Sequence, residues 1–143
     1  MAIQRMPTMN THLTLVGPNA RVDTWTLDPD DLAAVGDEVH LVPLPKGAVL
    51  YDWQTLSNGQ DSAAGFVYDL VATDGVTSRR LLVNATNGQA ANPGKARSSN
   101  DEEMVHVGWT VPTQGWAVAL RVVAPPTTPK ADNWFKLVLE YNK

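Results

Sequence analysis

A single-domain antiparallel β-sandwich, jelly-roll-like in topology, is the fold this sequence predicts, and three observations predict it. Runs such as Trp116-Ala117-Val118-Ala119-Leu120-Arg121-Val122 and Phe135-Lys136-Leu137-Val138-Leu139-Glu140-Tyr141 alternate large apolar side chains with small or polar ones. That two-residue period is the signature of a strand with one buried face. Gly, Pro, Asn and Asp interrupt such runs from one end of the chain to the other. At 143 residues and 43% hydrophobic, the chain is the size of one ordinary domain. It buries about two-thirds of its unfolded surface without needing cross-links.

Taken in order, residues 1–10 form an arm with no clear period, and residues 11–143 form the sandwich domain. Within the arm, Ile3, Met6 and Met9 are apolar with no local strand to join, and Arg5 is the arm's one charge. Nine strands are expected in the domain, at residues 12–16, 21–27, 38–44, 48–56, 66–73, 79–86, 104–109, 116–124 and 134–141. Nine short strands with turns between them fit a sandwich or barrel.

The connections have readable chemistry. Gly17-Pro18-Asn19, Pro45-Lys46-Gly47, Ser57-Asn58-Gly59, Thr73-Asp74-Gly75 and Asn87-Gly88 supply residues that accept positive φ or fix φ near −65°. Pro43 and Pro45 flank Leu44, which marks that end of its strand as an edge or a terminus. Only Asp28-Pro29-Asp30-Asp31-Leu32-Ala33-Ala34-Val35-Gly36 has a helical character, with an Asp cap, Pro in the first turn and a Gly stop, enough for one or two turns. The longest loop, residues 87–101, is small and neutral except for Lys95 and Arg97, and is expected outside the core.

Composition excludes several functions. There is no cysteine, hence no disulfide framework, thiolate nucleophile or Cys-based zinc site. A net charge of −4 with both signs interspersed leaves no basic stripe for a phosphate backbone, so nucleic acid is not an expected partner. No apolar run approaches the ~20 residues of a membrane helix, and the first ten residues lack the apolar centre of a signal peptide. No membrane partner is expected. His12, His40 and His106 fall on different strands without ligand-spaced partners, and the acidic Asp28 cluster lacks the spacing of a calcium loop while matching a helix cap. No serine sits in a nucleophile elbow, adjacent acids such as Glu102-Glu103 diverge, and no phosphate loop is present. Neither a catalytic residue, a metal site nor a cofactor is predicted.

Five tryptophans are many for this length. Trp116 shares the register of Val118, Leu120 and Val122 and belongs in the core, whereas Trp134 is out of phase with Phe135, Leu137 and Leu139 and faces an interface or second layer. An exposed row of Trp25, Trp53 and Trp134 would instead be a sugar-stacking platform. The contact residues read from the sequence, to a shell or between subunits, are Ile3, Arg5, Met6, Met9, Lys95, Arg97 and Trp134.

Val39-His-Leu-Val-Pro-Leu-Pro-Lys-Gly-Ala-Val-Leu50, then Phe66-Val-Tyr-Asp-Leu-Val71, Asp74-Gly75 and the closing Phe135-Lys-Leu-Val-Leu-Glu-Tyr141 resemble, in that order, small virion proteins of tailed bacteriophages. The resemblance spans about residues 20 to 142 and transfers no individual functional residue. It implies a hairpin built on the Leu-Pro-x-Gly turn, a jelly-roll-like sandwich, and a non-enzymatic structural role as a capsid decoration or cement protein. The implied partners are a major capsid protein and further copies of the chain, as a trimer in preference to a dimer. The implied location is the outer surface of the virion, after synthesis in the host cytoplasm. A carbohydrate- or receptor-binding module of a phage tail is the competing expectation.

Overall fold

The computed structural model describes residues 3–4, 9–14, 20–97 and 108–142, with backbone alone at residues 3–4, 9–14, 20 and 97. Eleven strands are present among the described residues: β1 (Ile3–Gln4), β2 (Met9–Thr14), β3 (Ala20–Trp25), β4 (Glu38–Leu44), β5 (Val49–Ser57), β6 (Val67–Thr73), β7 (Ser78–Ala85), β8 (Gly94–Arg97), β9 (Trp109–Thr110), β10 (Trp116–Ala124) and β11 (Phe135–Asn142). The first sheet runs β1-β4-β10-β6-β7 and the second β2-β3-β11-β5-β8, with β9 also on β5. Every pairing is antiparallel except β1 with β4.

Alternation becomes a core because both sheets turn their large side chains inward. Trp116, Val118, Leu120 and Val122 of β10, and Phe135, Leu137 and Leu139 of β11, are all buried, as their shared registers require. Between them lie Trp25, Trp53, Tyr68 and Leu70, each at most 1% exposed. Tyr68 meets Phe135 edge-on at 5.6 Å, and the Trp53 indole donates to the Leu81 carbonyl at 2.9 Å, which satisfies its polar atom inside the apolar layer.

Between β3 and β4 the acidic segment forms a 3-10 turn, Pro29–Leu32, with the Asp28 carboxylate accepting from the Asp30 amide at 3.0 Å. The cluster therefore caps a helical turn, and the fully packed Leu32 anchors it to the core.

Four expectations are corrected. The Leu-Pro-x-Gly turn makes no hairpin: β4 and β5 belong to different sheets, so Pro45-Lys46-Gly47 carries the chain from one layer to the other. Gly47 does this at φ +87°, and its amide donates to the Val111 carbonyl at 2.9 Å. Second, the loop expected outside the core is tied to it. Gly94–Arg97 pairs with β5 and Asn87 is buried. A run with only Ala96 to bury shows no period, and it becomes a strand because β5 presents backbone groups that need a partner. Third, Ile3 and Met9 do join strands, Ile3 opposite Glu38 and Met9 opposite Trp25, through backbone pairing that needs no side-chain pattern. Fourth, the strand expected at residues 12–16 starts earlier, at Met9. Of the segment 104–109, only Trp109 falls in a described strand; residues 104–107, with His106, lie outside the described residues.

Candidate interaction surface

One end of the sandwich is closed by buried polar side chains, and this closure holds the most exposed tryptophan in place. Asp61 is fully buried and accepts five backbone amides: Ala63 at 2.9 Å and Thr128 at 2.8 Å on one oxygen, Gly65 at 2.9 Å, Phe66 at 3.0 Å and Thr127 at 3.1 Å on the other. Burial alone would raise its pKa, but the amides of Ala63, Thr128, Thr127 and Gly65 outweigh it and hold the carboxyl down to about 2. One carboxylate thus joins the loop after β5 to the loop before β11.

Beside it, Gln60 donates to the Asn133 side-chain oxygen at 3.2 Å and to the Trp134 carbonyl at 3.0 Å, while Asn133 exchanges hydrogen bonds with both the amide and the carbonyl of Leu27. The Trp134 amide donates to Asn58 Oδ1 at 2.7 Å. The Trp134 backbone is thus held on both sides, and the residue is 38% exposed. The Lys136 ammonium lies 5.9 Å from the ring centroid.

Strand register extends the patch across the outer face of the second sheet. Lys136 pairs with Leu56, and Leu56 with Lys95, so one cross-strand row holds two cations around a half-exposed leucine. Further along the same face Val138 pairs with Gln54, then Glu140 with Asp52. The face carries Lys136 and Lys95 at the Trp134 end, a mixed row of Val22, Val138, Gln54 and Arg97 next to it, and the acidic Glu140 and Asp52 at the far end.

Of the predicted contact residues, the structure brings Lys95 and Trp134 into this one region. Arg97 pairs with Gln54 in the next row by backbone; Ile3 and Met9 sit on strands at the opposite lateral edge of the sandwich; Arg5 and Met6 lie outside the described residues. Lys136 and Leu56 escaped sequence reading because only the register of β11, β5 and β8 makes them neighbours. Asp61 escaped it because its partners are up to 67 residues away.

Other candidate chemistry has structural work. Glu38 is fully buried and accepts from Arg121 Nε at 2.7 Å and from its terminal nitrogen at 2.5 Å, with His40 Nε2 3.4 Å away. The carboxylate is committed to a cross-strand ion pair between β4 and β10. Trp25 and Trp53 are buried, so the row with Trp134 that a sugar platform requires does not form. Among the described residues, no group of three His, Asp or Glu is placed to hold a metal ion, and no helix is long and apolar enough to cross a membrane.

The fold and this surface define an all-β sandwich with a tryptophan and two lysines presented on one outer face. Two solved structures share that fold. A chain of the capsid of Ralstonia phage GP4 superposes with a TM-score of 0.70 at 20% identity, covering 99% of this chain and 98% of that one. A chain of the cyanophage Pam1 capsid asymmetric unit superposes with a TM-score of 0.60 at 19% identity, covering 92% and 93%. No protein-family model matches the sequence. No curated protein matches it either.

Proposed function

We propose that this chain is a non-enzymatic structural virion protein that decorates or cements the head shell of a phage, bound to the outside of a major capsid protein. The observation that carries the reading is the two-way coverage of the phage GP4 capsid chain, 99% and 98%. The likeness runs over nearly all of both chains rather than over a single hairpin or sheet. A decoration protein needs a rigid body, an adhesive face and many weak contacts repeated by symmetry, with no reactive centre. The rigid body is the cross-linked loop end around Asp61, and the adhesive face is the Trp134, Lys136, Leu56 and Lys95 row. In this reading the arm, residues 1–10, supplies further contacts through Arg5 and Met6, and the sandwich, residues 11–143, associates with copies of itself, as a trimer in preference to a dimer.

The test is co-sedimentation of purified protein with shells that lack it. Wild type should saturate them, and Lys95→Glu with Lys136→Glu should abolish binding while the melting temperature stays within a degree or two of wild type. Because the contact is led by two cations, wild-type affinity should also fall as salt rises. Full saturation by the doubly substituted protein would move the contact elsewhere. Failure of the wild type to bind any such shell would end the decoration reading.

A further inference from the structure

At the end of the sandwich away from Asp61, an apolar notch opens beside the β4–β5 turn. Val42, Pro43, Leu44, Pro45, Leu139 and Tyr141 line it, and its volume is about 160 Å³. An apolar cavity of ~150 Å³ holds a molecule the size of benzene, so this one has room for a branched aliphatic side chain. Lys46, exposed, stands in the turn beside it, and Arg21, whose guanidinium is paired with Asp23 at 2.5 Å, completes the lining.

Such a side chain stands elsewhere on the same molecule. Val76, at the tip between β6 and β7, is 94% exposed, the highest value among the large exposed apolar residues described. Its turn is rigidly built. Asp74 Oδ1 accepts from the amides of Val76 at 2.9 Å and Thr77 at 2.6 Å, and Thr73 Oγ1 accepts from Gly75, which takes φ +93°. The amides of Thr77 and Val76 also hold the Asp74 carboxyl below its usual range, so the tip carries a fixed negative charge next to its apolar side chain. A loop that exposes valine on a braced turn loses little entropy when that valine is buried.

Placement makes the two features complementary between copies rather than within one. Thr73 pairs with Ala117 and Leu44 with Trp116, so tip and notch stand at the same end of the sandwich. They are separated across the first sheet by β10, on opposite lateral sides, at about 10–15 Å by strand spacing. A protrusion on one flank and a separate recess on the other suit a head-to-tail contact between copies, which closes into a ring where its rotation permits.

We infer that the chain self-associates head to tail, the Val76 tip of one copy seated in the Val42–Leu139 notch of the next, with Asp74 facing Lys46. The inference rests on the self-association in the reading above and names its contact; shell binding is a separate property of the opposite end.

The experiment uses the full chain and two variants that each break one half of the contact. Val76→Asp spoils the tip and leaves the notch; Pro43→Glu spoils the notch and leaves the tip. Both positions are exposed, so both variants should melt with wild type. Sedimentation velocity across a concentration series should show closed oligomers for wild type and monomer for each variant alone. An equimolar mixture of the two variants has one intact tip and one intact notch per pair, so it should give dimers and nothing larger. Oligomers unchanged in either variant, a mixture that stays monomeric, or a wild type that is monomeric at every concentration overturns the inference. Shell co-sedimentation of the same samples separates the two ideas: monomers that still saturate shells sink only the head-to-tail contact, whereas rings that ignore shells sink only the decoration role.

Discussion

The Tyr68 hydroxyl donates to the side-chain oxygen of Asn87 at 2.5 Å, deep between the two sheets. It also meets Thr55 Oγ1 at 2.5 Å, and Asn87 Nδ2 in turn donates to the Gly94 carbonyl at 2.8 Å and to Thr55 Oγ1 at 3.2 Å. A phenol on β6 is thereby coupled to a strand, β8, that has almost no apolar surface with which to hold itself. The amide of Asn87 does what hydrophobic burial does for the other strands.

Tyr68→Phe should therefore destabilise the fold by about 1–3 kcal/mol, the cost of a buried polar partner left unmet. Asn87→Ala should do the same and additionally release the start of β8. Hydrogen exchange distinguishes them: amides paired between β5 and β8 should exchange faster in Asn87→Ala than in Tyr68→Phe. Equal protection in the two variants would show that β8 is held by its ladder alone.

Asp61 predicts an acid limit to stability. Its carboxyl titrates near 3.8 when unfolded and at about 2 when folded, so the folded state prefers the ionised form. The contribution is fully present above about pH 4 and is lost as pH falls through 2. Asp61→Asn should melt well below wild type at pH 6, and the gap should narrow at pH 2. A gap of the same size at both pH values would mean that the carboxylate charge is irrelevant. At the alkaline side the sign reverses for Tyr68, whose phenol burial pushes up. Stability should fall as pH rises above about 10, and Tyr68→Phe should blunt that fall.

Truncation of the inward rows gives the ordinary cost of a core cavity. Leu120→Ala and Leu139→Ala should each lose about 2–5 kcal/mol by chemical denaturation, because both residues are at most 1% exposed. Lys136→Ala, on the outward row of the same strand as Leu139, should cost no more than about 0.5 kcal/mol. Similar losses at positions 136 and 139 would reverse the assignment of faces.

Two glycines separate strain from crowding. A Cβ at Gly88 would land on the Phe66 ring, while one at Gly47 would meet nothing within 4 Å but sit at φ +87°. Gly88→Ala should cost about 1–3 kcal/mol through overpacking, and Gly47→Ala about 1–2 kcal/mol through backbone conformation alone. Only Gly88→Ala should disturb the chemical shifts of the Phe66 ring. A disturbance of equal size from Gly47→Ala would contradict the open space at that turn.

The all-β class, the strands at residues 38–44 and 116–124, and the buried rows of β10 and β11 were legible from the sequence because a two-residue period is a local property: each side chain declares its own face. The Asp28 cap was legible for the same reason, its partner being two residues away. Which strands lie side by side was decided only in the tertiary structure. The Pro45-Lys46-Gly47 turn looks the same whether it joins paired strands or crosses between layers, and only the pairing of β4 with β10 and of β5 with β11 selects the crossing. Likewise β1 and β8 exist because a neighbouring edge offers backbone groups, a cause that leaves no periodic trace in their own residues. The Trp134, Lys136, Leu56 and Lys95 surface depends on register among β11, β5 and β8, segments separated by up to about 80 residues, and the Asp61 junction on amides gathered from two distant loops. Sequence determined which residues want to be buried; long-range backbone hydrogen bonding decided what those residues, and the polar ones between them, would meet.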